Sequence, residues 1–454
     1  MSINQSYRKA LDWIHSTGRF GMNQGLVRIN ELLNRLGNPH HNLSYLHIGG
    51  TNGKGSTAAM IASVLKASGY RAGLYTSPYL VSFTNRFSVD GEDISPRELV
   101  ELVERVRPLV EQVAKDPKLG QPTEFEVVTA LAFLYFARLR PDLVVLEVGL
   151  GGRLDATNVI TPLVSVITNI SLEHTRVLGN SVEAIACEKA EIIKPGVPVV
   201  TAAADPVALK LFSAVCRDRR APGYRVVSAR DEVSRNGWSG ICTYSERKLV
   251  PLGQQFCYQG LDLNLEGLLI PLRGEHQIVN ASTALAALEL LSRRGFVFSE
   301  DGLRRGLKDT CWPGRLEVLG KSPPVVLDGA HNPAAMEQLA RSISEHFRYR
   351  RLVLVLGILK DKDKEAMFKH ILPLAYRLVL TRPAYERAAS PEEMARSSAL
   401  KAYYSGPLQI ENEVGRALEA ALKLAGKMDL VLVAGSLYTV SEAREYWLKG
   451  RGTV

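Results

Sequence analysis

The chain has few cysteines, and they are not arranged for a structural role. Its 454 residues include five of them, at Cys187, Cys216, Cys242, Cys257 and Cys311. The number is odd, the positions are scattered, and no two form a C-x-x-C pair. This pattern gives no basis for a disulfide framework or a cysteine-based zinc site, and it is typical of a reducing compartment.

The sequence also lacks a long apolar run. The longest one, around VVTALAFLYFA, has about half of the length that a bilayer span needs. The opening residues MSINQSYRKALDWIHSTG contain no apolar segment of the signal type. We therefore expect a cytoplasmic protein without a membrane partner.

Charge of one sign is not concentrated in any segment. The chain has 56 Lys and Arg against 47 Asp and Glu, a formal net charge of +9, and short basic groups such as RDRR and RYRR are dispersed. The excess of positive charge indicates a solvated surface that attracts anionic substrates. The sequence has no basic arm of the kind that would predict nucleic-acid binding. With 46% hydrophobic residues, the composition is that of a globular protein, and the length predicts two or three domains.

Strand-like apolar runs alternate with helix-like segments along most of the chain. YLHIGG, RAGLYTS, DLVVLEVG, LVSVITNI and VPVVTA read as buried strands, which predicts a parallel sheet covered by helices. In LDLNLEGLLIPL, Leu261, Leu263 and Leu265 alternate with polar residues. This alternation predicts a small antiparallel β element beside the parallel sheet.

A second series of strand-like runs follows the segment TCWPGRLE. It consists of PPVVLDG, RLVLVLG, RLVLTRP and DLVLVAG. We therefore predict an α/β protein with two domains: residues 1–309, a phosphate-loop (P-loop) domain with a parallel sheet and the antiparallel element, and residues 310–454, a Rossmann-like α/β domain.

The segment HIGGTNGKGSTAAMIASVLKASG predicts a phosphate-binding turn between a strand and a helix. Backbone N–H groups of such a turn and the positive end of the helix dipole suit an anion. Lys54 would reach the β- and γ-phosphates of a nucleotide, and Ser56 would lie near magnesium. The turn departs from the Walker pattern because Gly55, not a hydroxyl residue, follows Lys54. The alternative is a tight glycine turn without a ligand.

Two polar residues follow predicted strands. Glu147 ends a run that should be buried, where an unpaired carboxylate is costly, but the carboxyl edge of a parallel sheet faces the ligand crevice. A magnesium ion carried by ATP is a fitting partner, and a structural ion pair is the alternative. His174 follows the next strand, where a single histidine is more often a loop residue than a ligand.

The helix predicted in NSVEAIACEKAEIIKPG has a lysine in its apolar stripe. Asn180 is expected to cap the helix, with Glu183 three residues on. The stripe consists of Val182, Ile185, Lys189 and Ile192. Lys189 is either a stem at the edge of the stripe or a residue that reaches into a site. In the second case it is a phosphate partner or carries a carbamate, which is anionic and can bind metal.

Several motifs together resemble one family. They are GTNGKGST, YTSPYL, EVGLGGRLDATN, ITNISLEHTRVLG with EKAEIIKPG, GEHQIVNA, WPGRLE and LDGAHNP. They are similar to motifs of the folylpolyglutamate synthase / dihydrofolate synthase family of bifunctional bacterial type, a branch of the ATP-dependent Mur ligases. The resemblance runs in order from about residue 20 to the C-terminus and identifies the displaced hydroxyl as this family's form of the phosphate loop.

The resemblance implies roles for the matching positions. ATP binding is implied for Asn52, Gly53, Lys54, Gly55, Ser56, Thr57, Asn280, Arg315, Asp328 and His331, with Lys360 and Asp361 as neighbours. Binding of the pterin substrate is implied for Thr123, Glu124, Phe125, Glu126, Leu154, Asp155 and Ala156. Metal binding is implied for Ser56, Ser77, Glu147, His174 and Lys189. Catalytic roles are implied for Lys54, His174 and Lys189.

The chain departs from the family at four positions. It has Tyr79 where the family often has histidine, and Asn85 where the family often has glutamate. Glu173 replaces the usual aspartate before the metal histidine, and Glu191 replaces a glycine. Because Tyr79 and Asn85 lie in the substrate-side loop, they bear on which pterin is preferred and not on the class of reaction.

The implied reaction joins L-glutamate to dihydropteroate, to the γ-carboxylate of a (tetrahydro)folate, or to both, through an acyl phosphate, with ADP and phosphate as products. The implied cofactors are ATP, one or two Mg²⁺ ions and a carbamate on Lys189. Because Arg315 and Asp328 follow the predicted linker, ATP is expected to bind between the domains. We expect a monomer whose partners are these small molecules.

Other functions remain as alternatives. One is polyglutamate extension alone. Cell-wall Mur ligases carry a nucleotide-binding domain before the phosphate loop, whereas this loop begins near residue 49. A P-loop switch would release phosphate regardless of pterin and glutamate. A non-catalytic binding protein would be expected to lose Lys54, Glu147 or His174, and all three are present.

Overall fold

The computed structural model describes residues 3–18, 25–235 and 237–451. Its contacts divide the chain into two compact units. The first consists of residues 1–79, 84–271 and 277–310, and the second of residues 80–83, 272–276 and 311–454. Two short segments that precede residue 310 in the chain therefore belong to the second unit, and no composition signal in the sequence marks them.

The first unit contains a large sheet and the helices that cover it. The helices are α1 (Ile3–Thr17), α2 (Val27–Arg35), α3 (Lys54–Ala67), α4 (Pro96–Ala114), α5 (Glu124–Leu139), α6 (Thr175–Leu178), α7 (Val182–Ala190), α8 (Pro206–Asp218), most of α9 (Glu275–Ser292) and α10 (Glu300–Lys308). The strands are β1 (Tyr45–Gly49), β2 (Ala72–Tyr75), β3 (Phe87–Val89), β4 (Glu92–Asp93), β5 (Leu143–Glu147), β6 (Val164–Ile167), β7 (Val199–Thr201), β8 (Gly223–Ser228), β9 (Gly240–Val250), β10 (Gly253–Gln259) and β11 (Asn264–Ile270).

The sheet of the first unit is parallel in its centre and antiparallel at both ends. Its strand order is β11-β10-β9-β8-β7-β6-β1-β5-β2-β3-β4. The strands from β9 to β2 in this order run parallel, and β1 lies between β5 and β6. The predicted parallel sheet is confirmed. Its order brings the carboxyl ends of β1, β5 and β6 together, which is where ligands bind in open α/β sheets.

The antiparallel element is confirmed, but it is shorter than predicted and continues the main sheet. β11 pairs antiparallel with β10, and it begins at Asn264. Only Leu265 of the three alternating leucines lies in the strand. The backbone N–H groups of Leu261 and Leu263 instead donate to the buried carboxylate of Glu289, at 3.1 and 2.8 Å. The side chain of Glu289 thus takes the place of a neighbouring strand for these two N–H groups. The alternation of apolar and polar residues in the sequence could not reveal such a distant partner.

The sequence predicted the ends of α3 correctly but not the N-cap of α7. α3 begins after Gly53, whose φ is 85°, and Gly69 with φ 86° follows its end, as the sequence indicates. The predicted cap of α7 was wrong by one residue. Ser181, not Asn180, is the N-cap, and its hydroxyl accepts from the N–H of Ala184 at 3.1 Å.

The second unit is a smaller α/β structure. Its strands are β12 (Glu317–Lys321), β13 (Pro324–Leu327), β14 (Leu352–Leu356), β15 (Ala375–Thr381), β16 (Leu408–Glu411) and β17 (Leu430–Ala434). Its helices are α11 (Pro333–His346), α12 (Lys364–Ile371), α13 (Pro391–Arg396), α14 (Ser398–Tyr403), α15 (Val414–Leu424) and α16 (Leu437–Arg451). The order β12-β13-β17-β14-β15-β16 is parallel except for β12, so the predicted second α/β domain type is confirmed.

Alternate residues of the central strands in the second unit pack on opposite faces of its sheet. Leu354 and Leu432 lie in one buried cluster, and Val355 and Val433 lie in another. This two-sided burial explains why these strands are continuous apolar runs in the sequence. Within residues 3–18, 25–235 and 237–451, no helix combines the length and the apolar character needed to cross a membrane.

We predict that Gly306→Ala destabilises the first unit through α3. An added Cβ at Gly306 of α10 would lie 2.4 Å from Cα and 2.8 Å from N of Val64, so backbone must move. We expect a loss of about 1–3 kcal/mol of unfolding free energy in urea denaturation, as for other overpacked sites. Gly302→Ala on the same helix is the control. Its Cβ would meet the Ser68 hydroxyl at 2.7 Å, and a hydroxyl can rotate away. An equal or larger loss in Gly302→Ala would contradict the explanation.

Candidate active site

The turn between β1 and α3 is held in place by the end of β6. Thr51 N donates to Asn169 O at 2.9 Å, and Asn52 N donates to Asn169 Oδ1 at 2.8 Å. The hydroxyl of Thr168 donates to Asn52 O at 2.7 Å. Gly50 has φ 135°, and a Cβ there would lie 1.9 Å from Thr168 Oγ1. Glycine at this position is therefore required both by the backbone angle and by the space.

The N-terminus of α3 has the features of an anion site. Its N-cap is Gly53, which offers no side chain to the first N–H groups of the helix. Lys54 is half-buried, and its Nζ donates to Thr51 O at 3.2 Å, so the amine lies over the turn. Ser56 is buried, and the Thr57 hydroxyl, which is buried too, has no hydrogen-bond partner among the described residues.

Asn280 of α9 lies directly against the same turn. A Cβ at Gly53 would be 2.3 Å from Asn280 Oδ1, and the amide of Asn280 is oriented by a 3.0 Å hydrogen bond to Gln277 Oε1. Two predicted ATP-binding residues that are far apart in sequence are thus brought together. The contact also leaves no room for a side chain at position 53.

Glu147 and Ser77 meet at the carboxyl edge of the sheet. Glu147 is the last residue of β5, pairs in register with Ile48 of β1 and is 3% exposed. Its Oε2 accepts the backbone N–H of Ser77, which follows β2, at 3.1 Å. A buried carboxylate beside a serine is an oxygen-rich setting that suits a hard cation such as Mg²⁺. Among the described residues, no group of three or more His, Cys, Asp or Glu side chains forms a metal cage, so such an ion would need further oxygens from its ligand.

His174 lies at the start of α6, in a left-handed backbone conformation with φ 52°. Its Nε2 is 3.9 Å from Glu173 Oε1, and about a third of its side chain is exposed. Glu173, which replaces the family's aspartate, therefore keeps a carboxylate next to the histidine. The same carboxylate acts electrostatically on Lys189, which links this segment to α7.

Lys189 is buried and reaches the phosphate-loop turn. It is 5% exposed, and its Nζ donates to Gly50 O at 2.9 Å. The structure thus excludes a stem that extends to solvent and supports the alternative in which the side chain points into the site. Burial, and then the positive charge of Lys54, lower the pKa of the Lys189 amine to about 7, while Glu173 and Asp155 act in the opposite direction. At neutral pH a large fraction of this amine is therefore uncharged.

The segment from Gly149 to Thr157 folds onto the helix that carries Lys189. A Cβ at Gly152 would be 2.6 Å from Glu188 O, and Arg153 pairs with the Glu188 carboxylate at 2.9 Å. Asp155 caps the following turn: its Oδ2 accepts from Leu150 N at 2.8 Å and its Oδ1 from Thr157 N at 3.0 Å. Leu154 is half-buried and Ala156 is buried beside it. Burial raises the pKa of the Asp155 carboxyl, against the effect of these hydrogen bonds.

The predicted substrate residues at the start of α5 divide into two groups. Thr123 and Glu126 form a reciprocal capping box, and the buried Glu126 also pairs with Arg28 Nε at 3.2 Å. These two side chains therefore have structural partners, a role that the Thr-x-x-Glu spacing could have indicated. Phe125 instead covers the next loop, because a Cβ on Gly149 would be 2.3 Å from its ring.

Glu124, the remaining predicted substrate residue of α5, also has a partner, and so do three of the residues that depart from the family, Glu191, Tyr79 and Asn85. Glu124 Oε2 lies 3.4 Å from His15 Nδ1. Glu191, at the end of α7, pairs with Arg219 at 2.7 Å, so a charge occupies a position that usually has glycine. The guanidinium of Arg86 lies 5.2 Å from the ring centre of Tyr79, and Asn85 donates to Asp93.

In the second unit, Asp328 lies just after β13 and organises its loop. Its carboxylate accepts from Leu316 N at 3.0 Å and from Ala330 N at 2.9 Å. Burial raises the pKa of the Asp328 carboxyl, and the positive charge of Arg315 opposes that shift. His331 Nδ1 lies 2.8 Å from Gly329 O. Arg315, Asp328 and His331 thus belong to one loop cluster.

Lys360 and Asp361, the predicted neighbours of the ATP-binding residues, lie elsewhere in the second unit. Lys360 Nζ donates to Glu386 O at 3.2 Å, and Asp361 pairs with Arg387 at 3.2 Å. These bonds connect the loop after β14 to the loop after β15. No hydrogen bond or ion pair described in the structure joins them to Asp328.

Comparison with known proteins gives full-length similarity. Residues 48–288 match the Mur ligase middle domain, and residues 314–437 match the Mur ligase glutamate ligase domain. The chain is 38% identical over 444 residues to a dihydrofolate synthase/folylpolyglutamate synthase of Bacillus subtilis, covering 97% of this chain and 99% of that protein.

Solved structures agree in fold. A Mycobacterium tuberculosis folylpolyglutamate synthase complexed with ADP has a TM-score of 0.90 and 32% identity, covering 98% of this chain and 99% of that one. Escherichia coli FolC in complex with DHPP and ADP has a TM-score of 0.83 and 29% identity, covering 98% of each chain. By its motifs, its fold and these matches, the chain belongs to the dihydrofolate synthase/folylpolyglutamate synthase family of Mur ligases, which are ATP-dependent carboxylate–amine ligases.

Proposed function

We propose that this enzyme carries out both reactions of its family: it joins L-glutamate to dihydropteroate and to the γ-carboxylate of a folate. The observation that carries the ATP-dependent ligation in this proposal is the convergence of Lys54, Lys189 and Asn280 on one glycine turn, beside the Glu147–Ser77 pair. The full-length similarity to a Bacillus subtilis protein named for both activities supports it. ATP is the energy source, and ADP and phosphate are products.

The phosphates of ATP are proposed to bind at the N-terminus of α3. Backbone N–H groups from Gly53 to Ser56, the Thr57 hydroxyl and the positive helix end would hold them, and Lys54 would contact the β- and γ-phosphates. Asn52 and Asn280 would border the nucleotide, because Asn52 lies in the turn, where Asn169 holds its N–H, and the side chain of Asn280 touches the turn at Gly53. We further propose that Arg315, Asp328 and His331 of the second unit contribute to nucleotide binding.

Magnesium is proposed to bind with ATP near Ser56, Ser77 and Glu147, and a second ion near His174. The buried carboxylate of Glu147 fits the first ion, and the imidazole beside Glu173 fits a site for the second. Bound there, Mg²⁺ supplies positive charge beside the phosphates during their transfer.

A carbamate is proposed to form on Lys189. Carbon dioxide reacts with an unprotonated amine, and the lowered pKa of Lys189 provides that form near pH 7. The neutral amine would add carbon dioxide and lose one proton to solvent, giving an anion beside Lys54 where the protonated amine would be repelled, and providing a carboxylate-like metal ligand. Gly50 O, now 2.9 Å from Nζ, would still accept the remaining N–H.

The chain's residues would then support two successive steps. The pterin-linked carboxylate attacks the γ-phosphorus of ATP, and ADP leaves, giving an acyl phosphate. Lys54 and the N–H groups of α3 stabilise the charge on the phosphoryl group and hold it in line. The amine of glutamate next attacks the acyl carbon, phosphate leaves, and the amine loses a proton as the amide forms.

The pterin acceptor is proposed to contact Phe125, Leu154, Asp155 and Ala156. Phe125 provides an aromatic face over Gly149, and Asp155 fixes the backbone of the loop that carries its two neighbours. Thr123 and Glu126 would act by holding the start of α5 in place, and Glu124 would flank it.

The first prediction from the proposed function concerns ADP release. We expect release to require glutamate together with dihydropteroate or tetrahydrofolate, and Lys54→Met to lower it by about 100-fold or more, as when other transition-state donors are removed. A coupled assay for ADP measures this. Stimulation by tetrahydrofolate alone would leave only polyglutamate extension. Release that ignores both acceptors would indicate a nucleotide switch and contradict the proposal.

The second prediction concerns the carbamate on Lys189. With ¹³C-bicarbonate at pH 8, we expect a carbamate carbonyl resonance in the NMR spectrum of the wild-type protein and its loss in Lys189→Ala. Lys210→Ala is the control because this lysine is exposed on α8 and should leave the signal unchanged. A signal that persists in folded Lys189→Ala would show that the carbamate, if present, is elsewhere.

The third prediction concerns Arg315. Losing a charge-assisted contact to nucleotide would cost about 1.5–3 kcal/mol, so Arg315→Ala should lower kcat/KM for ATP by about 10- to 100-fold. Arg341→Ala removes a cation that is 64% exposed on α11 and should have no such effect. Circular dichroism would check folding of both variants. An unchanged kcat/KM for ATP in Arg315→Ala would remove this residue from the nucleotide site.

A further inference from the structure

One of the central parallel strands of the large sheet, β1, carries a histidine where an apolar residue is expected. His47 is fully buried in β1, and all five residues of that strand are buried. Burying an imidazole costs free energy unless its nitrogens are hydrogen-bonded. One nitrogen, Nε2, lies 2.8 Å from Thr157 Oγ1. The other, Nδ1, is buried without a hydrogen-bond partner among the described residues.

Thr157 connects this histidine to Asp155. The Thr157 hydroxyl lies 2.5 Å from Asp155 Oδ1, and the Thr157 backbone N–H donates to the same oxygen at 3.0 Å. The other carboxylate oxygen, Oδ2, accepts from Leu150 N at 2.8 Å. Asp155 therefore closes the loop between Gly149 and Thr157 from both ends, and the hydroxyl of Thr157 is one of its bonds.

The direction of these hydrogen bonds follows from the single hydrogen of a hydroxyl. Both oxygens of Asp155 already accept backbone N–H groups, from Leu150 and Thr157, so the carboxylate acts as an acceptor and the Thr157 hydroxyl donates its hydrogen to Oδ1. Oγ1 must then accept from His47, whose hydrogen is on Nε2. Nδ1 carries only a lone pair, so the atom left without a partner is an acceptor. Burial, with the charge of Lys194 in addition, lowers the pKa of His47 to about 3, which keeps the imidazole neutral.

The geometry points to a positioning function: we propose that His47, acting through Thr157, holds Asp155 and its loop in the conformation that binds the pterin acceptor. The inference rests on the proposed function, in which this loop contacts the pterin. The same strand ends at Gly49 and leads into the phosphate loop. One strand would thus set the distance between the acceptor and the phosphates, which must be correct within a fraction of an ångström for transfer.

A purely structural role for His47 makes a different prediction. If the histidine only filled space, a residue of similar volume without a donor would serve equally well, and any damage would appear as lower stability for all substrates. If it positions the acceptor loop, loss of the donor raises KM for the pterin specifically. The two cases can be separated with matched variants at both ends of the hydrogen bond.

The experiment compares His47→Leu and Thr157→Val with His47→Gln and Thr157→Ser in the full-length enzyme. Gln keeps an N–H near the position of Nε2, and Ser keeps the hydroxyl. We expect the Leu and Val variants each to raise KM for dihydropteroate by about 10-fold, the cost of one buried hydrogen bond. KM for ATP should stay within about 2-fold, and Gln and Ser should recover a large part of the pterin affinity.

The double variant His47→Leu/Thr157→Val adds a further test. If one hydrogen bond is involved, its effect should match that of either single variant, and independent effects would multiply. Ser165→Ala is the control. Ser165 lies in β6, the strand next to β1, and its buried hydroxyl donates to Ile192 O at 2.8 Å. Losing this hydrogen bond should lower stability without changing KM for dihydropteroate.

Nitrogen NMR of histidine gives a readout that needs no substrate. The wild-type protein should show His47 neutral with its hydrogen on Nε2, and Thr157→Val should shift that signal. Unchanged pterin KM in the Leu and Val variants, equal rises for pterin and ATP, or an Nδ1–H tautomer would each overturn the inference. If His47→Leu does not fold, Thr157→Val against Thr157→Ser gives the same comparison. If the wild-type enzyme did not ligate glutamate, the proposed function would be contradicted. The tautomer of His47 would then still test whether the hydrogen bonds from His47 through Thr157 to Asp155 exist.

Discussion

The site depends on the close approach of two side chains to the backbone of the phosphate-loop turn. Gly50 and Gly53 have positive φ angles, and at both positions the space of a Cβ is taken, by Thr168 and Asn280 respectively. The turn is therefore clamped between the end of β6 and α9. Its carbonyl at Gly50 accepts the amine of Lys189. A side chain at position 50 would displace Thr168 and one at position 53 would displace Asn280, so the geometry of the turn is coupled to that of its surroundings.

Four ionisable side chains, two lysines and two carboxylic acids, lie close together around the turn. Lys54 and Lys189 lie close enough for one to lower the pKa of the other, and both donate to backbone carbonyls of the turn. Two buried carboxylates, Glu147 and Asp155, accept backbone N–H groups nearby. Ionisable groups gathered in this way are typical of a site that binds a charged ligand. The phosphates of ATP would bring negative charge to the two lysines.

Sequence periodicity revealed elements that depend on local chemistry. The parallel strands are apolar on both faces, α3 is bounded by glycines, and the spacing of the α7 stripe placed Lys189 on the buried side, as the structure has it. Local signals failed where two equivalent residues compete, as Asn180 and Ser181 do for the cap of α7. They also failed where a distant group intervenes, since the buried Glu289 takes the N–H groups of Leu261 and Leu263. The short segments 80–83 and 272–276 pack with the second unit without any local mark.

The sequence by itself determined the two α/β units' architecture, the phosphate-loop turn and the reaction family, because periodicity, glycine spacing and motif order are properties of the chain read in line. Only the tertiary structure decided which polar side chains do what. The buried Glu126 pairs with Arg28 of another helix, and His47, which lies in the apolar strand β1, is joined to Asp155 through Thr157. The physical reason is that a hydrogen bond between residues more than a hundred positions apart depends on strand register and loop packing, which no local pattern encodes.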